Sequence, residues 1–219
     1  MQEIAFRGHD ESETSDNRGN YIELIHLLAE FDEQLLTHLD SSTVFKGLSP
    51  LIQNDLIESV SYVVLAEIKK ELKDCHFLSV MLDETSDISC LSQLSTVFRF
   101  VNSKGIICER FFKFTDVSKD RSAAAIADLV VAQLVECECL QKLVAQSYDG
   151  AAVMSGELNG VQAKVKESAP NAIFIHCFAH KLNLVLMQAA SRIPKCNIFF
   201  QHLVGYLHFL LHHQNELLY

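Results

Sequence analysis

Two aspartates each close a short apolar run: Asp83 follows FLSVML (77–82), and Asp149 follows KLVAQSY (142–148). In open α/β sheets, functional side chains gather at the carboxyl ends of strands. If these runs are neighbouring parallel strands, the two carboxylates lie within about one strand spacing, ~5 Å. Carboxylates that close repel one another unless a proton or a cation sits between them. Mg²⁺, held by one or two carboxylates plus phosphate oxygens, meets that demand, and paired metals ~3.5–4 Å apart allow in-line attack on a phosphodiester. The same residues also fit a plainer reading, because aspartate is common at strand ends. In it, Asp83 caps a turn with Glu84, Thr85, Ser86 and Asp87, and Asp149-Gly150 is a loop.

Other motifs are less directive. Cys177-x-x-His180, with His176 before it, is half of a zinc site, and Cys137-x-Cys139 is distant in the pattern. Structural zinc needs four ligands at recognisable spacing, so none is expected. His180 could instead face the strand ends near Asp149 and meet a phosphate, or the motif could simply start a helix with one buried cysteine. His202, His208, His212 and His213 are spread along a helix with Phe199, Phe200, Leu203 and Leu207, which reads as a helix face. There is no Gly-x-Ser-x-Gly and no Gly-rich phosphate loop. Ser155-Gly156 and Gly160 flank the start of a helix and could present backbone amides to an anion.

The elements that must position these groups follow from periodicity. Ile22, Ile25, Leu28, Phe31, Leu35 and Leu39 recur every three or four residues from Tyr21, which predicts an acidic amphipathic helix. A second helix is predicted over 51–73. Leu51, Ile52, Leu56, Val60, Val64, Leu65 and Ile68 face inward, and Lys69, Lys70 and Lys73 complement the dipole at its end. Residues 91–101 and 106–117 are rich in β-branched and aromatic side chains around Asn102-Ser103-Lys104-Gly105, a hairpin signature. An alanine-rich helix at 120–139, a strand ending at Tyr148, a helix at 158–168, a strand at 171–176 and helices at 178–190 and 195–213 complete the order. That order, β-β-β-α-β-α-β-α after two leading helices, predicts an α/β fold. Its mixed sheet is covered by helices, with the first, fourth and fifth strands parallel.

Composition sets the outer bounds. With 49% hydrophobic and 21% charged residues, the chain is globular rather than disordered. Ten of its 28 acids but only two of its 18 bases lie in residues 1–40, so that segment carries −8 of the net −10. A uniformly basic nucleic-acid-coating protein is excluded, and the weak charge bias gives no support of its own to DNA binding. No apolar run approaches the ~18–20 residues of a membrane span, and no secretory signal is legible at the N-terminus. The seven scattered cysteines are expected to be reduced, within an intracellular protein.

The strings SVMLDETSDISCLSQLSTVFRFV, SYDGAAVMSGELNGV and IHCFAHKLNLVL, in that order, resemble the catalytic core of hAT-superfamily DNA transposases. The resemblance is greatest to the domesticated zinc finger MYM-type and repressor-of-the-inhibitor-of-the-protein-kinase-like group. FRGHDESETSDNRGNYIELIHLLAEFD and SPLIQNDLIESV extend it over essentially the whole chain.

The resemblance implies an RNase H-like fold, nuclear localisation, and an Asp-Asp-Glu site that binds Mg²⁺ for DNA strand cleavage and transfer. Asp83 and Asp149 match the first two acids, and Cys177 and His180 match a Cys/Asp-x-x-His motif near the DNA phosphates. Composition and periodicity give a flexible acidic lead-in (1–20) and a two-helix segment (21–74), and the resemblance implies a truncated RNase H-like core (75–192) and the start of a helical insertion domain (193–219).

The third acid has no match, and Glu216 is in the wrong place to substitute. The expected function is therefore a truncated, catalytically inactive transposase core acting as a DNA- or protein-interaction module. The alternative is a metal-dependent nuclease fragment that needs a missing C-terminal part. The apolar 195–213 helix is expected to expose a surface for self-association or a protein partner.

Overall fold

A computed structural model describes residues 5–86 and 91–213. Asp87 and Glu216 lie outside the described residues, as do the side chains of 205–213 and with them those of Leu207, His208, His212 and His213. The chain divides into two compact units, Met1–Glu67 and Ile68–Tyr219.

The first unit holds α1 (Asn20–Ala29), α2 (Glu33–Ser41) and most of α3 (Pro50–Asp74). The stretch expected as one helix over 21–39 is therefore two. Asp32 interrupts it as an N-cap, its carboxylate accepting the amides of Gln34 and Leu35 at 2.9 and 3.1 Å. The polar segment before α1, read as a flexible lead-in, folds back on itself. Tyr21 N–H donates to the Phe6 carbonyl, the Phe6 and Tyr21 rings lie 4.9 Å apart, and Arg7 pairs with Glu11. Gly19 closes this loop at φ 93°, where a Cβ would also stand 2.1 Å from the Gly8 nitrogen.

The apolar stripe predicted along α3 is corrected in the structure. Leu51, Leu56, Val60 and Val64 are exposed, Ile52 and Leu65 are half-buried, and only Ile68 of the predicted inward set is buried. The buried position near its start is Gln53, whose amide donates to Leu48 O and Glu11 Oε1.

The second unit is built on a five-stranded sheet in the order β3-β2-β1-β4-β5. Its strands are β1 (Leu78–Ser86), β2 (Ser92–Val101), β3 (Ile107–Asp116), β4 (Leu143–Tyr148) and β5 (Ile173–His176). β1 runs antiparallel to β2 and parallel to β4, and β4 runs parallel to β5. The predicted hairpin and the predicted parallel trio are both present, in an RNase H-like arrangement. Helices α4 (Ala123–Glu136), α5 (Ala152–Ser155), α6 (Val161–Ser168), α7 (Phe178–Ser191) and α8 (Pro194–His213) complete the order.

One face of the sheet carries the core. Leu78, Val80 and Leu82 of β1 alternate inward with Leu94, Phe98 and Phe100 of β2, against Ile126, Val130 and Leu134 of α4 and Val161 and Val165 of α6. Gln133 on α4 donates to the Thr115 hydroxyl on β3. On β4, Gln146 is wholly buried, donates to Gln162 O and Ala172 O, and accepts the Tyr148 hydroxyl. Burial pushes the Tyr148 phenol well above its ordinary range, so it stays a neutral donor that fixes the strand end just before Asp149. The opposite face is open: Phe111, Phe114, Ile173 and Ile175 are all exposed. No described residue of α7 is buried, and Ile198, Phe199, Phe200, Leu203 and Val204 on α8 are exposed.

The last turns of α3 belong to this unit. Of the predicted basic end, Lys73 stands in the last turn and pairs with Glu138, and Lys69 pairs with Glu136. The cation that meets the terminal carbonyls is Lys142, 3.2 Å from Leu72 O and 2.6 Å from Lys73 O. Glu71 accepts a bidentate pair from Arg110 of β3 at 2.6 and 2.8 Å, which holds its carboxyl below the usual range. A carboxyl depressed in the folded state adds stability above its unfolded pKa and loses it as pH falls through the folded value. Glu71→Gln is therefore expected to cost about 1 kcal/mol at pH 7, and the gap from wild type should narrow at acid pH, as the depressed carboxyl becomes protonated. Urea titrations at neutral and acid pH check this; a gap that persists in acid would show that the loss is one of packing.

The six described cysteines are all free, and among the described residues no helix is long and apolar enough to cross a membrane.

Candidate functional site

The β1–β4 ladder sets Leu78 opposite Leu143, Ser79 opposite Ala145, Val80 opposite Gln146 and Met81 opposite Ser147, and there it stops. Extending that register by two residues would set Asp83 against Asp149, which lies just past the end of β4. Asp83 falls on the open face, in phase with Met81, and Asp149 follows Tyr148, the last residue of β4. Beyond Met81, β1 stays with β2 as far as Ser86–Ser92, whereas β4 stays with β5 as far as Tyr148–His176. Each strand follows its other neighbour, so a crevice opens between them at the carboxyl ends, the place where open α/β sheets bind ligands. Asp83 is consequently not the last residue of its strand, as its position after FLSVML suggested. It is three residues short of the end and lies opposite Ser95, whose hydroxyl donates to the Asp83 carbonyl at 3.0 Å.

Two clefts meet at this pair. One, of about 290 Å³, is lined by Asp83, Asp149, Glu84 and Arg121 together with Leu82, Ala151, Val153 and Met154. The other, of about 280 Å³, lies on the open face. It brings Cys177, Ala179 and His180 to the same two aspartates, beside Met81, Ser95, Val97 and Ser147. His180 and Cys177 thus line the same cleft as Asp149, about thirty positions before them, and Asp83, nearly a hundred before them.

Gly150 explains how the turn after β4 is held. A Cβ there would stand 2.5 Å from Cε1 of His176 and 3.0 Å from its Nε2, so the backbone rests on the imidazole ring. His176 in turn stacks on His180, centroids 5.9 Å apart, and Cys177 N–H donates to Tyr148 O. Asp149 itself accepts the Ala151 amide at 3.2 Å.

Ser155 and Gly156, considered as anion-binding amides, are placed otherwise. Neither lines either cleft. Their N–H groups donate to Ala151 O and Ala152 O, and the Ser155 hydroxyl donates to Gly150 O and Ala151 O. Those amides are closed within a one-turn helix and are not available to a ligand.

As a cation site, the donor set is sparse. Among the described residues, no group of three or more His, Cys, Asp or Glu side chains converges to hold a metal. Glu84 is turned to Arg121, Nη2 to Oε1 at 2.5 Å. Two carboxylates with room for water fit one Mg²⁺-like ion whose other ligands are waters or phosphate oxygens. They do not form a preformed two-metal cage. Glu84, Arg121 and His176 carry no local sequence signal for these places. Gly150 following Asp149 was the one hint, since a glycine can mark a close approach.

The family model described as ZMYM1/FAM200, RNase-like domain (DUF4371) matches residues 1–160. The chain belongs to this family. The match to the RNase-like domain contains Asp83, Glu84, Arg121 and Asp149 and stops short of Cys177 and His180. Among relatives, the human 52 kDa repressor of the inhibitor of the protein kinase is 23% identical over 193 residues, 86% of this chain and 25% of the relative. The mouse protein of the same name is 22% identical over 197 residues, 88% of this chain and 26% of the relative. The RNase-like chain thus spans about a quarter of the length of these relatives.

Proposed function

We propose that the chain is a domesticated hAT-type transposase core that acts in the nucleus as a DNA- or protein-interaction module and is catalytically inactive as it stands. In this reading Asp83 and Asp149 keep a single weak Mg²⁺ site, with Cys177 and His180 beside it on the phosphate-facing side. The observation that carries it is that Asp83 on β1 and Asp149, just past the end of the adjacent parallel β4, line the same two clefts where the ladder has ended, with no third ligand among the described residues. A bound divalent ion would supply charge neutralisation for an incoming phosphate. Two-acid coordination without a cage leaves attacking and leaving oxygens poorly positioned, which costs orders of magnitude in rate. Family membership supports the transposase ancestry, and the repressor named among the relatives supports a nuclear role. The exposed apolar surfaces of α7 and α8 are the natural place for self-association or a protein partner.

Mn²⁺ titration followed by electron paramagnetic resonance tests the site. Asp83→Asn and Asp149→Asn are each expected to weaken binding about tenfold or more. Unchanged affinity in both variants would rule out the carboxylate pair. Divalent-dependent nicking of DNA by the wild type, lost in both variants, would replace the inactive reading with that of a metal-dependent nuclease.

A further inference from the structure

We propose that Arg121 is the phosphate-gripping residue of the Asp83–Asp149 cleft, held at rest by Glu84 and transferred to a nucleic-acid phosphodiester when one enters. The inference rests on the functional reading above and names the ligand class and the residue that would select it. Of the eight residues lining this cleft, three are acids and one, Arg121, is a base. Its formal charge of −2 repels a phosphodiester, and one divalent ion cancels that charge. What then remains to hold the phosphate is the guanidinium, whose planar fork of donors matches phosphate oxygens.

The position of Arg121 is fixed and its side chain is free to exchange. It directly precedes the N-cap of α4, where Ser122 Oγ accepts the Ala125 amide and Asp120 accepts the Ser122 amide at 2.8 Å. Asp120 is thereby turned to the backbone. The Arg121 side chain is 59% exposed and that of Glu84 29%. An ion pair this exposed contributes little net stability, so replacing the carboxylate by a phosphate costs little. Glu84 also sits in β1 beside Asp83 on the opposite face, so releasing Arg121 leaves Asp83 in place for the cation.

The test uses the full chain and a single-stranded 12-mer DNA, with binding followed by fluorescence anisotropy in Ca²⁺ across a salt series. Arg121→Gln is expected to weaken binding about tenfold and to lower the salt slope by roughly 0.7, one phosphate contact on a single strand. Arg121→Lys should keep the slope and lose about threefold. Glu84→Gln should tighten binding about threefold, because it removes both the competing partner and a repelling charge. An unchanged melting temperature in Arg121→Gln separates the loss from unfolding. The proposal is overturned if wild type binds no oligonucleotide, if Arg121→Gln matches wild type, or if Glu84→Gln weakens binding as Arg121→Gln does. Mn²⁺ affinity measured without DNA keeps the two ideas apart. An Arg121-dependent salt slope in a protein whose Mn²⁺ binding ignores Asp83 and Asp149 would sink the cation site and leave the phosphate contact standing.

Discussion

Replacing Gly150 with alanine is expected to lower stability by about 2 kcal/mol and to weaken Mn²⁺ binding at the aspartate pair at least tenfold. The added methyl would sit 2.5 Å from Cε1 of His176, well inside contact distance. The ring cannot simply swing away. It stacks on His180 from another side, its backbone pairs with Tyr148 in the β4–β5 ladder, and its Nε2 is buried without a hydrogen-bond partner among the described residues. The strain must be relieved by the turn carrying Asp149, and the two carboxylates would lose their shared position. Urea unfolding and Mn²⁺ titration read the two effects. The control is a double-mutant cycle with His176→Ala, which removes the obstructing ring. If the ring is the obstacle, Gly150→Ala should cost little in the His176→Ala background, a coupling of at least 1 kcal/mol. Additive losses would show that Gly150 is needed for another reason.

The contrast between what periodicity revealed and what it hid follows physical lines. Strand identity and the parallel trio were legible because each strand has its own local composition, and the β-β-β-α-β-α-β order leaves few right-handed connections. The break at Asp32 was concealed because Leu28, Phe31 and Leu35 keep helical spacing straight through it. The same spacing along α3 marks an apolar stripe without saying what covers it, and Val60 and Val64 are exposed. That Asp83 and Asp149 would come to a common cleft was readable since each acid follows an apolar run. The real end of β1 was not, because its last residues are held by β2 rather than by their own hydrophobicity. Glu84 with Arg121, and Gly150 with His176, are contacts between residues 37 and 26 positions apart. Nothing in either neighbourhood announces its partner; the fold alone brings them together.

The sheet's two faces give the second large expectation. Phe98 is wholly buried on the covered face, its ring 5.4 Å from that of Phe112. Phe98→Ala should cost about 4 kcal/mol, transfer and cavity together, enough to unfold a domain of ordinary stability. Phe114 lies on β3 on the opposite face, 4.9 Å from the Phe111 ring and 54% exposed. Truncating it removes little buried area, so Phe114→Ala should cost less than about 1 kcal/mol. Both are measured by urea unfolding of the same protein at the same concentration. The ratio of the two losses reports the state of the open face in solution. A small Phe114 loss means the face that carries Asp83, beside the cleft shared with Asp149 and His180, is open to solvent and to ligand. A loss approaching that of Phe98 would mean that another surface covers this face, and access to the cleft beside His180 would then depend on displacing it.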